Sequence, residues 1–532
     1  MKTIGRCAGL AAVVSAIALG AWGGTISGTV KDSSGQPFRG AFVQAQNAQT
    51  RITTIVLSDG QGRYRVENLP AGNYEVRAKA AGLQSNLRSG VTVAATGAAS
   101  LDFALQADPV RWSDLSLYQA WELLPAGRGK ELLQRQCSAC HGLQTRMAAR
   151  PHDEAGWTRA INYMRTTRKS RLGGRINDQD AADLVSYLTK AFGPSSILPQ
   201  SPAELPEYKQ TVRSFSDEAV GIQYVEYEMP GPNRHPFGAA PDKDGSIWIA
   251  YFGINAIGRL DPKTGVIDEF PAPHQGTTGI HTAVPAPDGS VWIGEQATNK
   301  LGKWDPVTRT VTEYQDRYKP GFEGNERGGS KHTVRIDPDG KVWGTAVGAP
   351  LTAFDPKTGE FAHYPDIVSP YGIVLDPKGN PWFAEYSSTG KFGMVDYKTG
   401  KISKWTPLTE GGWPRRIQVD SKGIVWVALY QAGKLLRFDP QTEAIKEFGL
   451  PGPSPTPYAL GVDKDDYVWY SSDEMDTIGR LDPATGKVIE FPYPYAENMM
   501  KEFFLDDEGR IWYGAAAQNR VGYFVYKGNG SR

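Results

Sequence analysis

The sequence predicts a multidomain, mainly β protein in which a small β-sandwich is followed by an α-helical domain and then by a seven-bladed β-propeller. Three patterns predict this order. Polar and apolar residues alternate over 24–107, apolar residues recur at helical spacing over 112–194, and a tryptophan-anchored unit repeats over 219–532. The chain has 532 residues, enough for several domains, and its 60 glycines and 24 tyrosines favour strands joined by turns.

Residues 1–23 predict a secretion signal. Lys2 and Arg6 precede an apolar run over 7–21, and small residues follow it. The alternative is a retained membrane anchor, but the run is short for a spanning helix. We therefore expect cleavage near Gly23, a periplasmic or secreted protein, and no membrane span after cleavage. The formal net charge of zero gives no indication of nucleic-acid binding.

Residues 24–107 predict the sandwich, because turn motifs such as Asp59-Gly60-Gln61-Gly62 and Pro70-Ala71-Gly72-Asn73 separate short alternating runs. The segment resembles the carboxypeptidase regulatory-like domain over nearly its whole length. That resemblance implies an accessory module, and no catalytic constellation is evident here.

Residues 112–194 predict helices. Trp157, Ile161 and Met164 fall on one face of a helix, Asp178 is a candidate N-cap for the next, and Gly193-Pro194 ends it. Residues 195–218 are rich in Pro, Ser and Glu and predict a linker or a loop that lies on a neighbouring domain.

Cys137, Cys140 and His141 form a Cys-x-x-Cys-His motif in this helical segment. Two thiols at this spacing can bond to the porphyrin vinyl groups while the following imidazole reaches the iron. A zinc site needs a second ligand pair, and the chain has only one other cysteine, in the signal. The motif therefore predicts one covalent haem c.

The second axial ligand has three candidates, Met164, Met147 and His152. The layout of the segment resembles class I cytochromes c, and that resemblance implies Met164 as the ligand. Core packing is the alternative role for Met164. Basic residues outnumber acidic ones around the motif, so we also expect a redox partner protein with an acidic surface.

Residues 219–532 predict the propeller, because a turn, a tryptophan strand and an Asp-Pro-x-Thr-Gly-like turn recur every 39–51 residues. Residues 222–227 form an early strand that can complete the last blade. We expect the tryptophans to pack between blades. They are Trp248, Trp292, Trp343, Trp382, Trp426, Trp469 and Trp512.

Units such as Trp292-Ile293-Gly294-Glu295 and Trp382-Phe383-Ala384-Glu385 resemble the streptogramin lyases of the virginiamycin B lyase type. That resemblance implies opening of a cyclic depsipeptide lactone by elimination, assisted by Mg²⁺ and a His/Glu cluster in the channel mouth. Position by position, it implies that His281, His332, Glu295 and Glu385 are catalytic.

The last two blades depart from the family pattern. Tyr458 and Glu502 occupy strands in which the family carries its catalytic histidine, and Arg415 and Arg416 take the analogous place in blade 5. Polar residues at these positions would converge on one channel mouth, where propellers bind ligands. The alternative is that they fill a water-lined channel.

Three hypotheses follow. In the first, the chain is an exported haem c protein that couples electron transfer to binding or turnover of a small organic or peptide-like substrate in the propeller. In the second, the chain is a true lyase with an appended cytochrome. In the third, the propeller is a non-enzymatic binding scaffold and the cytochrome is a relay.

Overall fold

The computed structural model describes residues 23–137, 142–167, 176–274, 276, 279–318 and 331–528. Residues 1–22 of the predicted signal, Cys140 and His141 lie outside these ranges. Within them, no helix is long and apolar enough to cross a membrane. The fold is mainly β and contains the predicted sandwich and propeller.

The N-terminal unit is a sandwich of two sheets. One sheet is built around β1, which pairs with β4, β8 and β9, and the other contains the β5-β2-β3 ladder. Apolar residues that alternate along these strands, such as Val43, Val66 and Val76, are fully buried between them. The strands are β1 (Gly24–Lys31), β2 (Phe42–Asn47), β3 (Thr53–Leu57), β4 (Arg63–Leu69), β5 (Gly72–Ala80), β6 (Leu83–Gln84), β7 (Arg88–Val93), β8 (Ala98–Ser100), β9 (Phe103–Ala104) and β10 (Gln106–Ala107).

The middle unit is helical and has its own apolar core, which includes Trp121, Leu133, Trp157 and Leu184. Its α-helices are α1 (Leu117–Leu123), α2 (Arg128–Leu132), α3 (Glu154–Thr167), α4 (Asp178–Phe192) and α5 (Tyr208–Thr211). Its 3-10 turns are Trp112–Asp114, Pro202–Glu204 and Asp217–Gly221, and its π-helical turns are Leu133–Cys137 and Gln144–Ala148.

The N-cap of α4 is Asn177, one residue before the predicted Asp178. The side chain of Asn177 accepts a hydrogen bond from the backbone N–H of Asp180 at 2.8 Å. Asn and Asp cap helices about equally well, so the sequence could not separate these neighbours.

The C-terminal unit is a ring of seven four-stranded blades. The first strand of each blade packs beside the first strands of its neighbours, and these innermost strands close the ring. Blades 1–3 contain β12 (Pro236–Pro241), β13 (Ile247–Tyr251), β14 (Ala256–Leu260), β15 (Ile267–Pro271); β16 (Ile280–Pro285), β17 (Val291–Glu295), β18 (Lys300–Trp304), β19 (Val311–Gln315); and β20 (Lys331–Ile336), β21 (Val342–Ala346), β22 (Pro350–Asp355), β23 (Glu360–Val368). Blades 4–6 contain β24 (Pro370–Leu375), β25 (Pro381–Glu385), β26 (Phe392–Val395), β27 (Ile402–Trp405); β28 (Pro414–Val419), β29 (Val425–Leu429), β30 (Lys434–Asp439), β31 (Ala444–Gly449); and β32 (Pro457–Val462), β33 (Val468–Ser472), β34 (Thr477–Leu481), β35 (Val488–Pro492).

Blade 7 joins both ends of the propeller segment. It contains β36 (Met500–Leu505), β37 (Ile511–Ala515) and β38 (Arg520–Tyr526), and the early strand β11 (Ile222–Glu228) completes it by pairing with β38. The other edge of β11 pairs with β3 of the sandwich, so the two units share one sheet. This pairing covers the outer edge of blade 7, which would otherwise expose unpaired backbone groups.

The anchoring tryptophans are buried as predicted, and each of six of them makes the same type of hydrogen bond. The indole N–H of Trp343, for example, donates at 2.8 Å to the carboxylate of Asp337, six residues earlier. Because indole nitrogen can only donate, a buried tryptophan needs such an acceptor. The six pairs are Trp248–Asp242, Trp343–Asp337, Trp382–Asp376, Trp426–Asp420, Trp469–Asp463 and Trp512–Asp506. In blade 2 the equivalent position is Ala286.

Candidate active site at the channel mouth

The channel mouth is the end of the ring at which all seven innermost strands begin. Each of these strands has a register shift within its first residues. Such β-bulges re-aim side chains and occur next to active sites. The second residues of the strands form one ring of side chains: Phe237, His281, His332, Tyr371, Arg415, Tyr458 and Lys501.

Two predicted catalytic residues, His281 and His332, come together in this ring. Their ring centroids lie 3.6 Å apart, and the two side chains are almost fully buried. Tyr371 extends the aromatic row from His332 at 4.1 Å, and Phe237 meets His281 edge-on at 5.2 Å. The pairing follows from the blade repeat, because equivalent positions of adjacent innermost strands are neighbours.

Hydrogen bonds to the next residue in each strand orient both imidazoles. Nδ1 of His281 lies 3.3 Å from the Thr282 hydroxyl, which also lies 3.0 Å from the His332 carbonyl oxygen and 3.4 Å from a carboxylate oxygen of Glu502. Nδ1 of His332 lies 2.8 Å from the Thr333 hydroxyl, which accepts a hydrogen bond from Arg416 at 2.8 Å. A neutral imidazole has one N–H donor and one basic nitrogen, so two adjacent histidines can supply both a proton acceptor and a proton donor.

Arg415 lies beside this pair in a cage of four tyrosines. Its guanidinium carbon is 3.5 Å from the ring centroid of Tyr458, 4.1 Å from that of Tyr430, and 5.0 Å from those of Tyr371 and Tyr386. Nη2 donates to the Tyr371 hydroxyl at 3.3 Å, and the hydroxyls of Tyr371 and Tyr458 are hydrogen-bonded to each other. Burial raises the pKa of Tyr371 to about 12, so its hydroxyl stays protonated near neutral pH.

Charged side chains at and next to this ring connect different blades across the channel. Glu502 of blade 7 accepts from Arg335 of blade 3 at 2.6 Å, and Arg416 of blade 5 lies 3.7 Å from the same carboxylate. Lys501 pairs with Asp473 at 3.2 Å. All five side chains are buried or largely buried, so their charges interact with little screening.

The structure does not bring Glu295 or Glu385 to the histidine pair. The carboxylate of Glu295 accepts from Thr298 at 2.8 Å and lies near Glu313 on the outermost strand of blade 2. Burial, together with that like charge, raises the pKa of Glu295 to about 7. Glu385 is held by Lys404 of its outermost strand at 2.6 Å. Both carboxylates therefore face away from the channel.

The donor set at the mouth does not suit Mg²⁺, which prefers carboxylate and carbonyl oxygens. Arginine guanidinium groups and a lysine ammonium group lie near the two histidines instead. Among the residues that the structure describes, no group of three or more His, Cys, Asp or Glu side chains could hold a metal ion.

In the helical unit, Cys137 and Met164 both pack against the same apolar core. Cys137 is partly exposed, and its haem partners Cys140 and His141 lie outside the described residues. The indole nitrogen of Trp157 is buried in this unit without a hydrogen-bond partner among the described residues. A large prosthetic group in this core would supply such a partner, so the described residues fit the haem prediction.

The helical unit contacts loops at the channel mouth. Glu497, three residues before β36, accepts at 2.9 Å from the backbone N–H groups of Gly142 and Thr145, and at 2.8 Å from the Thr145 hydroxyl. Tyr118 N–H donates to the carbonyl of Glu474, which follows β33. A side chain on Gly142 would meet Glu497 within 3.0 Å. The segment directly after His141 therefore lies against blade 7 near the mouth.

Several mouth residues carry no individual sequence signal. Sequence reasoning placed Tyr458 and Glu502 on the right strands but assigned them no role, and it missed Tyr371, Tyr386, Tyr430 and Lys501. The second position of each innermost strand is the signal that would have found Tyr371, Tyr458 and Lys501. Glu502 is the third residue of its strand, and Tyr386 and Tyr430 directly follow second strands.

Comparisons with known proteins agree with the predicted sandwich and propeller. Residues 315–531 match the virginiamycin B lyase family, and residues 25–106 match the carboxypeptidase regulatory-like domain. The chain thus contains a virginiamycin B lyase-like domain and a carboxypeptidase regulatory-like domain. These two resemblances are confirmed at this level, whereas the resemblance of the helical segment to class I cytochromes c stays a prediction.

Two solved structures show the propeller fold. Selenomethionine-substituted virginiamycin B lyase from Staphylococcus aureus is 21% identical, with a TM-score of 0.51 over 57% of this chain and 99% of that one. A streptogramin B lyase structure gives the same identity and score and is covered over 97% of its length. Among curated proteins, regucalcin from Xenopus laevis is 28% identical over 126 residues, which is 20% of this chain. The match spans only 42% of regucalcin.

Proposed function

We propose that the propeller is a lyase that removes a proton next to a substrate carbonyl and eliminates an oxygen leaving group at the channel mouth. The observation that carries this proposal is the pair of buried histidines, whose ring centroids lie 3.6 Å apart. An elimination needs one group that takes a proton and one that gives a proton. A small organic or peptide-like substrate with an ester or lactone, such as a cyclic depsipeptide, meets this requirement.

In the proposed steps Nε2 is the reacting nitrogen of both histidines, because Nδ1 of each is hydrogen-bonded to a threonine hydroxyl. Nε2 of His281 takes the proton from the carbon next to the carbonyl, and the electron pair of that C–H bond forms the new carbon–carbon double bond. The bond from the neighbouring carbon to the ester oxygen breaks, and Nε2–H of His332 protonates the departing oxygen. General acid and base groups each accelerate such steps by about 10²–10⁴-fold.

Arg416, whose Nη2 has no hydrogen-bond partner among the described residues, would stabilise the negative charge that develops on the carbonyl oxygen. Positive groups already held in a dry site stabilise such charge strongly, because they need no reorganisation during the reaction. No step requires Mg²⁺, whose ligands the described mouth residues do not supply. Glu295 and Glu385 have no catalytic role in this proposal.

The experiment is to incubate the exported protein with cyclic depsipeptide lactones and to measure the molecular mass of the product by mass spectrometry. Elimination gives an opened product of unchanged mass with a new conjugated double bond, which absorbs in the ultraviolet. A product heavier by one water would mean hydrolysis and would reject the proposal. An inactive His281→Ala variant of the same preparation controls for contaminating activities.

A second candidate function is electron transfer coupled to the same mouth, in an exported haem c protein with a redox partner protein. The Glu497 contacts favour it, because they hold the segment after the Cys-x-x-Cys-His motif against blade 7. Cys137 and Cys140 would attach the haem, and His141 and Met164 would ligate its iron. Bound there, the haem would accept or donate single electrons.

A pyridine haemochrome assay and an absorption spectrum of periplasmically expressed protein test this candidate. Haem c that a substrate reduces, and that His281→Ala leaves oxidised, would favour electron transfer over elimination. Met164→Ala should remove the long-wavelength band typical of thioether–iron ligation, whereas Met147→Ala should leave it. Absence of covalent haem in the wild type would reject this candidate.

A further inference from the structure

We infer that the channel mouth binds a small organic carboxylate, with Arg415 as its anchor. The inference deepens the proposed function, and it rests on that function in taking this carboxylate to belong to the substrate. It starts from the charge at the mouth. Arg415 is 3% exposed, and no salt bridge joins it to a carboxylate among the described residues.

Arg415 also has unused hydrogen-bond donors. Its Nε and Nη1 atoms are buried and have no hydrogen-bond partner in the described part of the chain, and the same holds for Nη2 of Arg416. A buried charge or donor without a partner costs free energy. Proteins keep such groups where a ligand supplies the missing acceptor, and this cluster lies at the mouth of a channel.

The nearby carboxylates are already engaged elsewhere. Glu502 accepts from Arg335, and Asp473 pairs with Lys501. Among the carboxylates of the described residues, the one near Arg416 is this shared Glu502, at 3.7 Å. Arg415 thus has no ion-pair partner of its own among the described residues, and an anion from outside would balance its charge.

The tyrosine cage selects the shape of this anion. Rings of Tyr458 and Tyr430 lie within 4.1 Å of the guanidinium carbon and so cover much of its surface. The remaining edges of the fork suit a flat acceptor that lies between the rings. The guanidinium fork can pair with either a carboxylate or a phosphate, but the planar carboxylate fits between two rings, whereas the tetrahedral phosphate extends out of that plane. The aromatic walls would also contact an apolar part of the ligand.

The test measures binding to the full chain without turnover. Sodium acetate is the probe, acetamide is its neutral isostere, and inorganic phosphate is the competing anion, all at constant ionic strength. We expect a saturable rise in melting temperature of a few degrees with acetate at about ten times its Kd, and none with acetamide. Arg415→Met should abolish the rise, and Arg415→Lys should weaken acetate binding about tenfold or more.

Arg480→Met is the matched control. Arg480 also stacks on a tyrosine, at 3.4 Å from the ring of Tyr467, and has a buried Nε without a described partner, but it lies on β34, away from the mouth. This variant should bind acetate as the wild type does. If Arg415→Met does not fold, the comparison of Arg415→Lys with Arg480→Met decides the question.

The possible outcomes separate this inference from the proposed function. Equal effects of acetate and acetamide, unchanged acetate binding by the Arg415 variants, or tighter binding of phosphate than of acetate would each overturn the carboxylate assignment. Acetate cannot undergo elimination, so binding that depends on Arg415 in a protein without lyase activity upholds the inference and rejects only the function. Elimination that Arg415→Lys leaves unchanged rejects only the inference.

Discussion

Each blade of the propeller has two positions that can be compared around the ring: the turn before its anchoring tryptophan and the start of its innermost strand. At the turn, six of seven blades use the same aspartate–indole hydrogen bond. At the channel mouth, the second residues of the innermost strands include phenylalanine, histidine, tyrosine, arginine and lysine. The repeated position stabilises the fold, whereas the position that varies has the side chains from which chemistry can be built.

The largest expected effect comes from the mouth. His281→Ala or His332→Ala should lower turnover of a lactone substrate by about 10²–10⁴-fold, because each removes one proton-transfer group. The double variant should lose little more than the worse single variant, since the two histidines act as a unit. Steady-state kinetics measures this, with His274→Ala, a half-buried loop histidine, as control. Full activity in either mouth variant would contradict the assignment.

The next largest effect concerns Glu295, whose carboxylate faces away from the mouth, and the pH dependence of stability. The pKa of Glu295 rises from an ordinary 4.5 to about 7 in the folded protein, so the folded state holds the proton more tightly than the unfolded state. Stability should therefore fall as pH rises from about 4.5 to 7, by about 3 kcal/mol. Glu295→Gln should remove this part of the pH dependence in denaturant titrations. A loss of stability that is the same in both proteins would contradict a raised pKa.

A smaller effect on stability is expected at the aspartate that six blades repeat in the turn before the anchoring tryptophan. Asp420→Ala should destabilise the protein by about 1–3 kcal/mol, because Trp426 loses its acceptor and the turn loses the backbone bonds that the same carboxylate accepts. Thermal unfolding measures the change. Asp465→Ala, in an exposed turn of blade 6, is the control and should have little effect. Wild-type stability in Asp420→Ala would show that the repeated bond does not hold the blade.

The smallest effect is a gain in blade 2. Its turn has Ala286 where the other blades have aspartate, yet the backbone bond from residue 286 to Ser290 matches that from Asp242 to Ser246. Ala286→Asp should therefore supply an acceptor to Trp292 and stabilise the protein by about 1 kcal/mol. A rise in melting temperature is expected, and a fall would mean that blade 2 is built differently.

The sequence predicts the repeated features well and the mouth only in part. The spacing of the tryptophans gives the blades, and the equivalent positions of His281 and His332 give their contact. The orientation of the Glu385 side chain was not predictable. Its carboxylate forms an ion pair with Lys404 on an outer strand and does not point into the channel. The sheet that β3 and β11 share depends on the edges of two strands that lie far apart in the sequence, and no local sequence pattern predicts such a pairing.

The central claim is that the mouth removes a proton next to a carbonyl. The most direct test uses a depsipeptide lactone with deuterium on the carbon next to the ester-bearing carbon, at the position from which His281 would take the proton. Mass spectrometry of the product then follows the label. Our account predicts that the deuterium is lost to solvent, that the reaction slows with the heavier isotope, and that His281→Ala prevents the loss. A ring-opened product that keeps the deuterium would contradict the account.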